Sequence, residues 1–135
     1  MKPRILVIDD EAAIRDSLRM ILEYEHYEFL GASNGPEGLA QVQRERPDLV
    51  LLDIKMPGMD GMEVLRKLRE LDDTLPVVII SGFGFEWEAE LMGAQGYIGK
   101  PFESQELEAT IANLLRPRLV TSRIAPEKPA EKLRS

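Results

Sequence analysis

Three short apolar runs, each closed by a polar residue, constrain this chain more than any other feature: Ile5-Leu6-Val7-Ile8 before Asp9-Asp10, Leu49-Val50-Leu51-Leu52 before Asp53, and Val77-Val78-Ile79-Ile80 before Ser81. Unbroken runs of β-branched and aliphatic residues suit strands buried on both faces, which is the environment of a parallel sheet covered by helices. The segments between them supply the covers. Ile14, Leu18, Ile21 and Leu22 draw the stripe of an amphipathic helix starting near Glu11. Phe29-Leu30-Gly31-Ala32 is a weaker strand, after which Asn34-Gly35-Pro36 supplies turn chemistry, with Pro36 placed in the first turn of a helix that runs to about Glu45 before Pro47.

The second half repeats the alternation. Turn formers from Met56 to Gly61 precede a stripe of Met62, Val64, Leu65, Leu68 and Leu71. A short helical piece follows at about Phe85 to Met92, Tyr97-Ile98 forms a brief fifth strand before Lys100-Pro101, and Leu107, Ile111, Leu114 and Leu115 mark a last helix. Parallel strands need crossovers, and right-handed crossovers place helices on both faces. The prediction is a doubly wound α/β domain with a five-stranded parallel sheet. The flavodoxin-like order 2-1-3-4-5 fits and sets the first strand beside the third, with ligands bound beyond the carboxyl ends of the strands.

A chain of 135 residues holds one such core. Its 30% charged and 44% hydrophobic content is that of a globular protein, with neither a long apolar span nor a leader, so a soluble cytoplasmic protein is expected and no membrane association. The lack of cysteine excludes disulfides, thiolate metal sites and thiol nucleophiles. Residues 1–115 carry 11 Lys/Arg against 22 Asp/Glu, a balance of −11, whereas residues 116–135 carry 6 against 2, a balance of +4. So acidic a body would repel a phosphate backbone, which argues against direct nucleic-acid binding. The expected division is a domain over 1–116 and a basic, Pro-containing tail or linker over 117–135.

The chemistry converges at one sheet edge. Asp9 and Asp10 end the first strand, Asp53 the third and Ser81 the fourth, and Lys100 follows the fifth. One acid after a strand is most simply a helix cap. Caps do not call for two adjacent acids and a lysine on separate strands. Carboxylates brought together repel one another, and a hard divalent cation held through oxygens relieves that repulsion; Mg²⁺ fits because it keeps waters and shares its shell with phosphate. Lys100 and the Ser81 hydroxyl can then meet phosphoryl oxygens, and a carboxylate can serve as the phosphoryl acceptor.

Asp9-Asp10-Glu11, the stretch from Asp53 through Lys55, Met56, Pro57, Asp60 and Gly61 to Glu63, Ser81-Gly82 and Lys100-Pro101-Phe102 together resemble the receiver domains of two-component response regulators. The match covers roughly residues 4–116, and the stretch from Asp53 to Glu63 is similar to nitrogen-regulatory (NtrC-like) receivers. The resemblance implies a phosphorelay in which Asp53 takes a phosphoryl group from a sensor histidine kinase or phosphotransfer protein and switches a surface read by a downstream effector. It implies Mg²⁺ bound by Asp10 directly, by Asp9 mainly through water, by Asp53 and by the backbone carbonyl of Lys55. It makes Ser81 the switch hydroxyl, Tyr97 the aromatic that turns inward with it, Lys100 the phosphate-binding lysine and Lys100-Pro101 a cis bond. Lys55 and Phe83 occupy the positions that tune hydrolysis of the acyl phosphate, and neither can readily orient water, so slow self-dephosphorylation is expected.

Other residues have plainer readings. His26 is a surface residue in the turn after the first helix, the methionines at 56, 59 and 62 fill gaps around a loop, and Trp87 either packs inward or anchors a partner. Ser81 and Lys100 are 19 positions apart, about three fewer than in most relatives, which shortens the helix between the fourth and fifth strands by nearly a turn. That surface is the dimer or effector face in many relatives, so homodimerisation stays open here. The enzymatic alternative is a Mg²⁺-dependent phosphatase or phosphotransferase with an aspartyl nucleophile. Such enzymes place an acid where this chain has Lys55, so a signalling domain that assists only its own phosphotransfer is expected. A stand-alone regulator and the N-terminal piece of a longer transcription regulator both fit.

Overall fold

The computed structural model describes residues 2–56, 58–82, 90 and 93–123, with side chains up to residue 116. Strands β1 (Arg4–Ile8), β2 (Glu28–Ala32), β3 (Leu49–Asp53), β4 (Val77–Ser81) and β5 (Gly96–Gly99) form one sheet in the order β2-β1-β3-β4-β5, with every pair parallel. Helices α1 (Ala12–Tyr24), α2 (Gly35–Glu45), α3 (Gly61–Leu71) and α4 (Ser104–Arg123) complete the described residues. The flavodoxin-like order expected from the alternation is the order found. Apart from Glu90, the shortened helix expected at about 85–92 lies outside the described residues, as do Phe83, Trp87 and the tail beyond 123.

The apolar runs are continuous because each strand feeds two cores. Ile5, Val7, Leu49, Leu51, Val78 and Ile80 point to the layer with Leu18 and Leu22 of α1 and Leu107, Ile111 and Leu115 of α4. Leu6, Ile8, Val50, Leu52, Val77 and Ile79 point to the layer with Val42 of α2 and Val64, Leu65 and Leu68 of α3. Successive side chains on a strand face opposite ways, so a helix-sheet-helix sandwich needs an apolar residue at every position. Met56 is buried, and Met59 and Met62 pack against the second core, as gap-filling residues should.

Local chemistry sets where the helices begin. Asn34 caps α2 by accepting from Glu37 N–H at 2.8 Å, while the Glu37 carboxylate accepts from Ser33 N–H at 2.9 Å, a reciprocal arrangement that satisfies two otherwise free donors. Asp60 caps α3 through Glu63 N–H at 2.9 Å. Gly58 in the β3–α3 loop has φ +78, a left-handed conformation that costs glycine nothing. His26, exposed in the turn after α1, has φ 68.

Candidate functional site

The strand ladders bring the polar residues together. Ile8 pairs with Leu52, which sets Asp9 level with Asp53 across the β1–β3 junction, the point where the winding direction reverses. Asp53 and Ser81 are the last residues of their strands rather than the first beyond them, since Asp53 still pairs with Ile80 and Ser81 with Gly99. Lys100 N–H donates to Ser81 O at 2.6 Å, which fixes the start of the β5–α4 loop, and the Lys100-Pro101 bond is cis. Asp10, Glu11, Asp53, Lys55, Ser81, Gly82 and Lys100 line a cleft of about 380 Å³.

Asp9 and Asp53 are 2% and 5% exposed, whereas Asp10 is open to solvent, and one carboxylate oxygen from each lies within 4.8 Å of the other two. Lys100 Nζ is the shared counter-charge, 3.6 Å from Asp9 Oδ2, 3.8 Å from Asp53 Oδ1 and 3.9 Å from Glu11 Oε1. Two backbone donors assist: Glu11 N–H to Asp9 Oδ1 at 2.9 Å and Lys55 N–H to Asp53 Oδ1 at 3.1 Å. They do not balance the site. Burial, followed by the charge of Asp9, pushes the Asp53 carboxyl up to about 6, against the pull of Lys55 N–H and Lys100. Burial likewise raises Asp9, opposed by Glu11 N–H and Lys100. Lys100 and, at the rim, Lys55 face four acids, Asp9, Asp10, Glu11 and Asp53, which leaves net negative charge in a partly dry pocket that a hard cation with oxygen ligands would neutralise.

Two buried hydroxyls have no hydrogen-bond partner among the described residues, Ser81 Oγ and Tyr97 Oη. Ser81 is 1% exposed and borders the cleft; Tyr97 is half-buried and packs against the α2–α3 core. Its hydroxyl is therefore enclosed, not in solvent. An unpartnered buried hydroxyl costs stability, and a charged oxygen arriving nearby would recover that loss. Every site residue expected from the sequence within the described region thus gathers at one sheet edge, and Tyr97 stands beside it on β5.

Two participants carried no assigned role in the sequence. Glu11 shares Lys100, and Arg15 Nη1 donates to the Asp9 carbonyl at 2.7 Å. Glu11 follows the acidic pair directly and was visible as a third acid. Arg15 gave no signal, because a long side chain reaching a backbone oxygen leaves no periodic trace.

The description "response regulator receiver domain" fits residues 5–112, and the chain belongs to that family. It is 37% identical over 118 residues to the sporulation initiation phosphotransferase F of Bacillus subtilis, covering 85% of this chain and 95% of that protein. It is 42% identical over 116 residues to the response regulator MprA of Mycobacterium leprae, covering 84% of this chain but 51% of MprA. The chain therefore spans about half the length of the MprA relatives that it matches. Among solved structures, a CheY-like receiver domain protein from Methanospirillum hungatei superposes with a TM-score of 0.85 at 35% identity, covering 90% of this chain and 99% of that one. The NtrX receiver of Brucella abortus gives 0.79 at 37% identity, covering 82% and 97%, in keeping with the nitrogen-regulatory character of the β3–α3 loop. This is a receiver domain of two-component signalling, and the Asp9, Asp10 and Asp53 cluster fits the acidic pocket in which such domains bind Mg²⁺.

Proposed function

We propose that Asp53 is the phosphoacceptor and that the cleft around it is the phosphotransfer site. The observation that carries this reading is the Asp53 carboxylate, buried at the end of β3, flanked by a lysine at 3.8 Å and by two further carboxylates. An Asp53 oxygen attacks the phosphorus of a kinase phosphohistidine; the P–N bond breaks, its electron pair stays on the imidazole, and an aspartyl phosphate forms. Asp10, Asp53 and the Lys55 carbonyl would hold Mg²⁺, with Asp9 acting mainly through water. When bound, Mg²⁺ offsets the charge of the phosphoryl oxygens. Lys100 neutralises one such oxygen, and the Ser81 hydroxyl, already enclosed and unpaired, donates to another.

Ser81 and Tyr97 then form the switch: Ser81 moves toward the phosphoryl group, Tyr97 turns further inward, and the surface at half-buried β5 changes for a downstream effector protein or domain. The partners are a sensor histidine kinase or phosphotransfer protein and that effector, in the cytoplasm. Lys55, exposed at the rim of the cleft, is neither acid nor amide, which supports slow self-dephosphorylation. The basic segment 117–135 is a tail or linker whose first residues continue α4 to Arg123. Intact mass after incubation with acetyl phosphate and Mg²⁺ tests the centre of the proposal. One added phosphoryl group in wild type and none in Asp53→Ala is expected; equal labelling of both would remove Asp53 from its role.

A further inference from the structure

The Asp9-Asp10 turn is held at several points. Asp9 N–H donates to Ala32 O at 3.1 Å, which ties the turn to β2, and Asp9 Oδ1 and Oδ2 meet Glu11 N–H and Lys100. The carbonyl of Asp9 belongs to the peptide that joins the two acids, and Arg15 Nη1 is its donor, at 2.7 Å. Arg15 rises from the first turn of α1, half-buried, along a cleft of about 290 Å³ shared with Arg19, Phe29 and Glu37. Its stem lies over β2: a Cβ built on Gly31 would sit 3.8 Å from Arg15 Cδ. The side chain is thus guided by packing to one backbone oxygen, away from the cleft where phosphate would bind.

A peptide group is planar, so fixing its carbonyl fixes the plane from which the Asp10 Cα departs. Asp10 is exposed, and among the described residues no hydrogen bond holds its carboxylate; its direction comes from the backbone. We propose that Arg15 is a positioning residue for the divalent-cation pocket, acting through the Asp9 carbonyl to aim the Asp9 and Asp10 carboxylates at a common point. The inference rests on the Mg²⁺ reading of that pocket. With the bond gone the turn samples other orientations, and the apparent dissociation constant rises in inverse proportion to the time spent in the binding geometry. Partners that orient metal ligands change affinity by roughly 10- to 100-fold in other sites, and for this shallow one the expected change is about tenfold.

The test is a titration of the full chain with MgCl₂ alone, followed through the amide resonances of Glu11 and Lys55, whose N–H groups bond Asp9 and Asp53. Arg15→Met keeps the stem over Gly31 and removes the donors, so its Mg²⁺ Kd should rise about tenfold. Arg15→Lys keeps a donor and should fall between wild type and Arg15→Met. Arg19→Met, in the same cleft but without a bond to Asp9, should match wild type. A folded Arg15→Met with wild-type Mg²⁺ affinity, even at a lowered Tm, would reduce Arg15 to a structural residue and overturn the inference. Failure of wild type to bind Mg²⁺ would instead defeat the reading of the pocket itself, and this inference with it.

Discussion

Lys100 Nζ stands 3.8 Å from Asp53 Oδ1 and yet does not bring that carboxyl down to its ordinary range. The single ammonium is divided among Asp9, Glu11 and Asp53, while burial acts on Asp53 in full. The resting site is consequently overcharged, and the fold bears that cost for the sake of the chemistry.

That cost should be measurable as a pH dependence of the metal-free protein. Burial holds the Asp53 carboxyl up at about 6 in the folded chain, against 3.8 for an aspartate free in water, so between those values the folded state holds the proton more tightly than the unfolded one. Stability therefore falls as pH rises from about 4 to 6, and the penalty is fully present above 6, on the order of 2–3 kcal/mol for such a difference. Asp9, raised in the same direction, adds to it. Urea denaturation in EDTA should show Asp53→Asn more stable than wild type at pH 7.5, with the gap closing toward pH 4. A constant gap would mean that the Asp53 charge is not the cause.

Mg²⁺ should reverse the penalty. A cation that binds only the folded state stabilises it by about 2.7 kcal/mol when present at 100 times its Kd. Thermal unfolding should show a rise in Tm with MgCl₂ that EDTA abolishes. Asp10→Asn separates binding from folding: Asp10 is exposed, so the metal-free protein should change by no more than about 0.5 kcal/mol, while the Mg²⁺-dependent rise disappears. A retained rise would remove Asp10 from the ligand set.

The fold was legible in the sequence because burial on both faces forces every position of a central strand to be apolar, and the runs at residues 5, 49 and 77 have that form. Strand ends were less legible. Asp53 and Ser81 belong to their strands because the neighbouring strand still offers ladder partners, a fact set by register and not by residue type. The acidic pair, Asp53, Ser81 and Lys100 could be grouped in advance because a parallel sheet gathers its carboxyl ends. The enclosed Tyr97 hydroxyl and the bond from Arg15 to Asp9 could not, since both depend on which atoms lie nearby in three dimensions.

Gly61 offers a test of the loop between Asp53 and α3. Its N–H donates to Ile54 O at 2.9 Å, and a Cβ there would collide with Asp53 O and Ile54 Cα, backbone atoms that cannot rotate aside. Gly61→Ala should destabilise by about 1–3 kcal/mol, the usual cost of overpacking a buried site. Because the displaced segment carries Asp53 and Lys55, Mg²⁺ affinity should fall as well. Chemical denaturation and a Mg²⁺ titration of the same variant would check both, and an unchanged affinity would show that the loop absorbs the methyl without moving the site.

The enclosed hydroxyls make the final prediction the most discriminating. Ser81 Oγ and Tyr97 Oη are buried without hydrogen-bond partners among the described residues, so removing either takes away an unsatisfied polar atom. Such a deletion is neutral or stabilising in the resting protein, in contrast to the loss of about 1 kcal/mol or more when a paired hydroxyl is removed. Ser81→Ala and Tyr97→Phe should therefore leave the urea midpoint of the unphosphorylated chain unchanged or raised. Their effects should part once Asp53 is phosphorylated. Ser81→Ala should still accept the phosphoryl group, because Asp53 and Lys100 remain, but the amide shifts that phosphorylation induces along β4 and β5 should shrink, since the hydroxyl proposed to donate to the phosphoryl oxygen is gone. Tyr97→Phe keeps the ring that packs on the α2–α3 core and should retain the β4 shifts while losing part of those in β5. Wild-type shifts in Ser81→Ala would mean that the phosphoryl group is sensed without the hydroxyl, and the two unpaired atoms would then be a cost of packing alone.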